Sequence, residues 1–200
     1  MKKILFTAIL LCVLGCNTMH AQTDVASQIN TWTPDNFIAA FVKHGELKCQ
    51  GGRLLSGKEA LYFYRTHKDQ GWMLLNGNLG AVNVFLKEEL DSSSSATQFL
   101  NESLFLWLIS TMGGDEWILY KGIPHKYAKD SFGAVLEKYS STGAPTYVGK
   151  NWKIQFYTLT IAGGVELWSA EGDVFPLQVS SYKRTMVLPD GTIQVPPVIR

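Results

Sequence analysis

Residues 146–200 constrain the fold more than any other stretch, because apolar and polar side chains alternate there between turn signals. Trp152, Ile154 and Phe156 alternate with Lys153 and Gln155, the period of two that buries one face of a strand. Tyr157, Leu159 and Ile161 continue on the opposite parity, which predicts either a strand covered on both faces or a bulge. Gly163-Gly164 reads as a hairpin turn, residues 165–170 as the returning strand, and Glu171-Gly172-Asp173 as the next turn. Residues 174–187 then read as a long third strand with Phe175, Leu177 and Val179 on one face. Leu188-Pro189-Asp190-Gly191 breaks it, and residues 192–195 read as a short edge strand stopped by Pro196-Pro197.

The preceding residues divide into helical and extended stretches. Thr33-Pro34-Asp35 supplies an N-cap, a proline at the first helical position and an acid in the first turn, and Phe37, Ile38, Phe41 and Val42 keep helical spacing. These predict an amphipathic helix over 34–44. Residues 46–90 read mainly as strands, with a hairpin over 60–66 and 72–75 and a further strand in which Val82, Val84 and Leu86 alternate with Asn83 and Phe85. Ser95 and Gln98 form a capping-box start, and the apolar run from Phe99 to Met112 predicts a helix buried on most sides. A short strand over 116–120 and a helix over 130–139 complete the pattern. The fold class is α+β: a curved antiparallel sheet or incomplete β-barrel with two to three helices packed on or plugging it.

At the N-terminus Lys2-Lys3 precedes an apolar run over 4–14, the order of a secretory signal and too short a run to span a bilayer as a mature helix. Two processing sites fit. Cleavage after Ala21 leaves a single domain over 22–200; alternatively, Val13-Leu14-Gly15-Cys16 resembles a bacterial lipobox, with Cys16 the lipidated residue and the means of peripheral membrane attachment. Either places the protein outside the cytoplasm, in the periplasm or envelope of a Gram-negative bacterium. Cys49 then lacks a partner for a disulfide framework. Removing the leader takes Lys2 and Lys3 from 18 basic residues set against 17 acidic ones. The near-neutral remainder has no basic stripe, which argues against nucleic acid as a partner.

Several patterns invite an enzymatic reading. Residues 52–58 keep the glycine and lysine spacing of a phosphate loop, but Glu59 stands where the magnesium-binding hydroxyl belongs. Gly113-Gly114-Asp115-Glu116-Trp117 resembles the diguanylate cyclase signature in four of five positions, yet it directly follows an apolar helix and reads as a helix end followed by a turn. His44, His67 and His125 show no metal-ligand spacing beyond the loose pair His67 and Asp69. Ser92 to Ser95 read as a solvated loop, and Glu88, Glu89 and Asp91 as an exposed strand end. An envelope hydrolase would need His67 or His125 to meet an acid and a nucleophile from separate loops. No metal or cofactor is expected.

The strand of residues 152–158, Glu166-Leu167-Trp168-Ser169, Phe175-Pro176-Leu177-Gln178-Val179 and the closing Leu188-Pro189-Asp190-Gly191 together resemble the LolA/LolB-like lipoprotein-carrier fold over about a quarter of the chain. The resemblance implies an incomplete barrel, plugged by helices, around an apolar cavity for acyl chains. The residue content is compatible with it: 6 Trp, 8 Tyr and 10 Phe against 18% charged residues either fill a large core or line a cavity. The expectation is therefore a non-enzymatic protein binding an apolar small molecule or acyl chain, with Phe63, Trp72, Phe105, Trp107, Trp152, Phe156 and Trp168 as lining candidates. A solid-core interaction protein whose partner binds an edge strand is the alternative.

Overall fold

The structure, a computed structural model, describes residues 38–54, 57–113, 117–123 and 132–195. In chain order the elements are β1 (Glu46–Leu54), β2 (Gly57–Arg65), β3 (Met73–Leu74), α1 (Leu79–Glu89), α2 (Ser93–Glu102) and α3 (Leu104–Leu108), which runs into a π turn (Ile109–Gly113). There follow β4 (Trp117–Ile118), α4 (Gly133–Lys138), β5 (Thr146–Val148), β6 (Asn151–Leu159), β7 (Val165–Asp173) and β8 (Gln178–Leu188). The fold is α+β. One antiparallel sheet has three strands in the order β1-β2-β3; the other has five, in the order β4-β6-β7-β8 with β5 beside β6, and neither closes into a barrel among the described residues.

The larger sheet follows the alternation of its sequence. Trp152, Ile154 and Phe156 are buried and Lys153 and Gln155 exposed. From Tyr157 to Leu159 both faces are covered without a bulge, since β6 pairs β7 in unbroken register from Asn151↔Asp173 to Leu159↔Val165. Leu159 joins Leu119, Leu136, Val165 and Ile193 in a small core, and Tyr157 meets Tyr139 edge-on at 5.6 Å. Ile161 departs from the expectation: it sits exposed in the hairpin turn. The bulges lie between β7 and β8, at Val165/Glu166 and Glu171/Gly172, where an unpaired residue bends the strand.

Glu171-Gly172-Asp173 is strand, not turn, and the turn comes at residues 174–177. Gly172 is there because the second bulge brings the Gln178 carbonyl oxygen to where a Cβ would stand. Consequently Phe175 is exposed in the turn, while Leu177 and Val179 are buried. Residues 192–195 form no strand: Ile193 donates its N–H to the Gly163 carbonyl at 2.8 Å and plugs the hairpin end instead.

The expected strand through Val82 and Leu86 is the helix α1. Asn78 caps it by accepting the Ala81 N–H at 3.1 Å, and Val82, Phe85, Leu86 and Glu89 form its buried stripe, a spacing that competes with the period of two and wins once a cap is present. The next helix starts earlier than expected, with a capping box between Ser92 and Ser95 rather than Ser95 and Gln98. It breaks at Ser103 and resumes as α3, whose five residues are all buried. Residues 34–37 and 130–131 of the two other expected helices lie outside the described residues. The first is helical at Ile38 and Ala39 and turns at Phe41, short of His44; the second is helical over Gly133–Lys138.

Aromatic rings tie these layers together through α3. Trp107 meets Phe85 of α1 at 5.5 Å and Phe99 of α2 at 6.1 Å, and Phe85 meets Tyr64 of β2 at 5.0 Å. On the other side Phe105 packs at 5.9 Å on Phe156, which stacks at 5.4 Å on Trp168. Trp168 donates its ring N–H to Thr158, whereas Trp107 Nε1 finds no acceptor among the described residues. The single-turn helix therefore joins both sheets through ring contacts.

Candidate functional site

The outer face of the five-stranded sheet is covered at one end and open at the other. Around Tyr157 and Leu159 it lies under Tyr139 and Leu136 of α4 and its flank. Two residues back along β6, where α4 no longer reaches, a trough of about 680 Å³ opens. Its lining is mixed: Ala144, Ile154, Ala170 and Tyr182 stand among Thr146 of β5, Lys153 and Gln155 of β6, Ser169 and Glu171 of β7, and Ser181 and Lys183 of β8. Antiparallel register sets the latter side chains in two rows: Thr146, Lys153, Glu171 and Ser181 face one another across the strands, as do Gln155, Ser169 and Lys183.

Within the first row Lys153 Nζ pairs with Glu171 Oε2 at 2.8 Å, and Ser181 donates to Glu171 Oε1 at 3.4 Å. The Lys153 hydrogen bond, with its charge, holds the Glu171 carboxyl below the usual range. Gln155 donates its amide to Ser169 Oγ at 3.1 Å in the second row. Lys183 makes no ion pair among the described residues; its cross-strand neighbour is Ser169, and Glu171 of the adjoining row is already engaged by Lys153. The trough thus presents a hydroxyl and amide floor with one uncompensated positive charge.

The sequence candidates sit elsewhere. Phe105, Trp107, Trp152, Phe156 and Trp168 are each at most 1% exposed and pack in the interior. Phe63 is half-buried on β2, and Trp72, 41% exposed, lies under the Arg65 guanidinium at 4.5 Å. None of these seven side chains lines the trough. The trough was missed because its polar residues are scattered over 146–183 and assembled only by register; the exposed parity of β6, Lys153 and Gln155, was the one local signal.

The acid cluster also differs from expectation. Glu89 ends α1 as a buried carboxylate, accepting the backbone N–H groups of Lys43 at 2.5 Å, His44 at 2.9 Å and Gly45 at 2.8 Å and the Tyr64 hydroxyl at 2.8 Å. Burial alone would raise its pKa, but these four donors outweigh it and hold the carboxyl below its ordinary value. The Tyr64 hydroxyl is pushed up, by burial first and by Glu89 next. Beside them, His44 Nε2 lies 3.3 Å from Asp91 Oδ2 in an exposed pair. Ser92 and Ser95 are occupied in the cap of α2 rather than lying in a solvated loop.

The remaining motifs resolve as local structure where they are described. Residues 52–54 end β1 and residues 57–58 begin β2, paired antiparallel rather than as the strand and helix of a phosphate site, while residues 55–56 lie outside the described residues. Gly113 ends the π turn and Trp117 begins β4, while residues 114–116 and His125 lie outside the described residues. His67 is exposed in the turn before β3. Among the described residues no three His, Cys, Asp or Glu side chains converge on a metal position, and no helix is long and apolar enough to cross a membrane. Comparison of the chain with protein-family models, curated proteins and solved structures finds no match, so the trough is read from its own chemistry.

Proposed function

We propose that this chain is an exported, non-enzymatic binding protein of a bacterial envelope that holds a polar ligand on the outer face of its larger sheet. The trough carries this reading: about 680 Å³ of open space, within the size of small-molecule sites, lies over a floor that presents hydroxyls, an amide and charged groups. Export rests on the leader pattern, with Cys16 as the attachment point if the lipobox is used. The carrier-like reading puts an acyl chain inside the sheet instead. That would require the Phe105–Phe156 and Phe156–Trp168 ring contacts, at 5.9 and 5.4 Å, to part. Native mass spectrometry after mild purification, with and without organic extraction, separates the two. A bound species that survives organic extraction and is released by salt supports the outer face; a stoichiometric acyl chain removed by the solvent sinks it.

A protein partner that adds a strand is the second reading. β8 is the last strand of its sheet, and no further strand pairs its outer edge among the described residues, the geometry that strand addition uses. Cross-linking from residues of β8 to an envelope protein would favour it.

A further inference from the structure

The geometry points to an acidic oligosaccharide as the occupant of the trough, an inference that rests on the outer face being the recognition surface. Three features of the floor argue for it. First, the groups presented are those that read hydroxyls. The Lys153–Glu171 pair offers donor and acceptor side by side 2.8 Å apart, with Ser181 on one flank and Thr146 on the other. A vicinal diol satisfies such a pair by accepting from the ammonium and donating to the carboxylate.

Second, the two rows lie two residues apart along the strands, roughly 7 Å, and both run across β6, β7 and the edge strand β8, spaced about 4.8 Å apart, with β5 adding Thr146 to the first. A chain of pyranose rings laid across the strands meets a fresh polar group at each step. Third, the charge is unbalanced. Lys183 has Ser169 opposite and no ion pair among the described residues, so the second row ends on a cation whose natural complement is a sugar carboxylate. A neutral glycan would leave that ammonium unused. An acyl chain would cover the Lys183 ammonium without offering it a partner, at the cost of burying an unpaired charge.

The test uses the full chain, isotopically labelled, titrated with hexagalacturonate and separately with its uncharged methyl ester, followed by backbone amide shifts. The acid should move the amides of Lys153, Gln155, Ser169, Glu171, Ser181 and Lys183. The ester should bind at least tenfold more weakly, and Lys183→Gln should weaken the acid by a similar factor and so close most of the gap between acid and ester. Because Lys183 is exposed, the variant should fold as the parent does, and its spectrum reports this directly. Equal binding of acid and ester would overturn the acidic class while leaving the outer face standing as a glycan surface. Competition by inorganic phosphate at the same concentration as the acid would reduce the site to a lone anion contact and overturn the sugar. Shifts at none of these residues with either probe would overturn the inference, while the reading beneath it falls separately, to a stoichiometric acyl chain in the native mass spectrum.

Discussion

Glu89 shows how much one side chain can hold in place. Its carboxylate ends α1 and grips the segment that leads into β1 through successive backbone N–H groups of Lys43, His44 and Gly45, while Tyr64 completes its shell from β2. Hydrogen bonds to a charged group are each worth about 1.5–3 kcal/mol. Replacing Glu89 by Gln turns one acceptor into a donor that faces N–H groups, and should cost about 2–4 kcal/mol in urea unfolding. The pH dependence has a definite sign. The folded carboxyl lies below its ordinary 4.5, so it releases its proton more readily folded than unfolded. Its contribution is complete above about pH 4.5 and drains as pH falls through the lowered folded value. Unfolding followed from pH 7 to pH 3 should therefore show a loss in the parent that Glu89→Gln flattens.

At the scale of elements, one side chain hydrogen-bonds α1 to β8 twice. Asn83 donates its amide to the Val179 carbonyl at 3.0 Å and accepts the Val179 N–H at 2.8 Å, standing in for a neighbouring strand at the start of an open edge. Asn83→Ala should cost about 1–3 kcal/mol by leaving both groups unpaired, and amide exchange at Val179 should quicken at least tenfold while that of β6 stays unchanged. The same helix explains what the sequence concealed. Val82, Val84 and Leu86 alternate as a strand does, yet Val82, Phe85, Leu86 and Glu89 also repeat as a helix does, and the Asn78 cap decides between them. Gly172 misled in the other direction: it reads as a turn, and is in fact a close approach inside a strand. β6 was legible because its alternation is local. The Glu89 shell was not, because its donors are backbone groups more than 40 positions away. The trough was not, because only register brings residues 153, 171 and 181 into one row.

At the largest scale, the two sheets share no strand among the described residues and are joined by helices whose rings reach both. Phe105 on α3 stacks at 6.0 Å on Tyr120 and packs on Phe156, and Gly143 passes so near that a Cβ there would press on the Phe105 ring at 2.8 Å. Removing that ring by Phe105→Ala should cost about 3–5 kcal/mol. Since Trp107 on the same turn holds the other side, thermal unfolding of the parent should be one transition by far- and near-ultraviolet circular dichroism, and the variant should separate the two signals. The placement of the tryptophans has an optical consequence. Trp107, Trp152 and Trp168 are dry and Trp72 is wet, so with Trp32 and Trp117 replaced by Phe the protein becomes its own two-colour gauge. Iodide would quench the red-shifted emission of Trp72 and leave the blue emission of the interior. A sugar settling on the outer face would leave that blue band in place, and an acyl chain threading between the rings would move it.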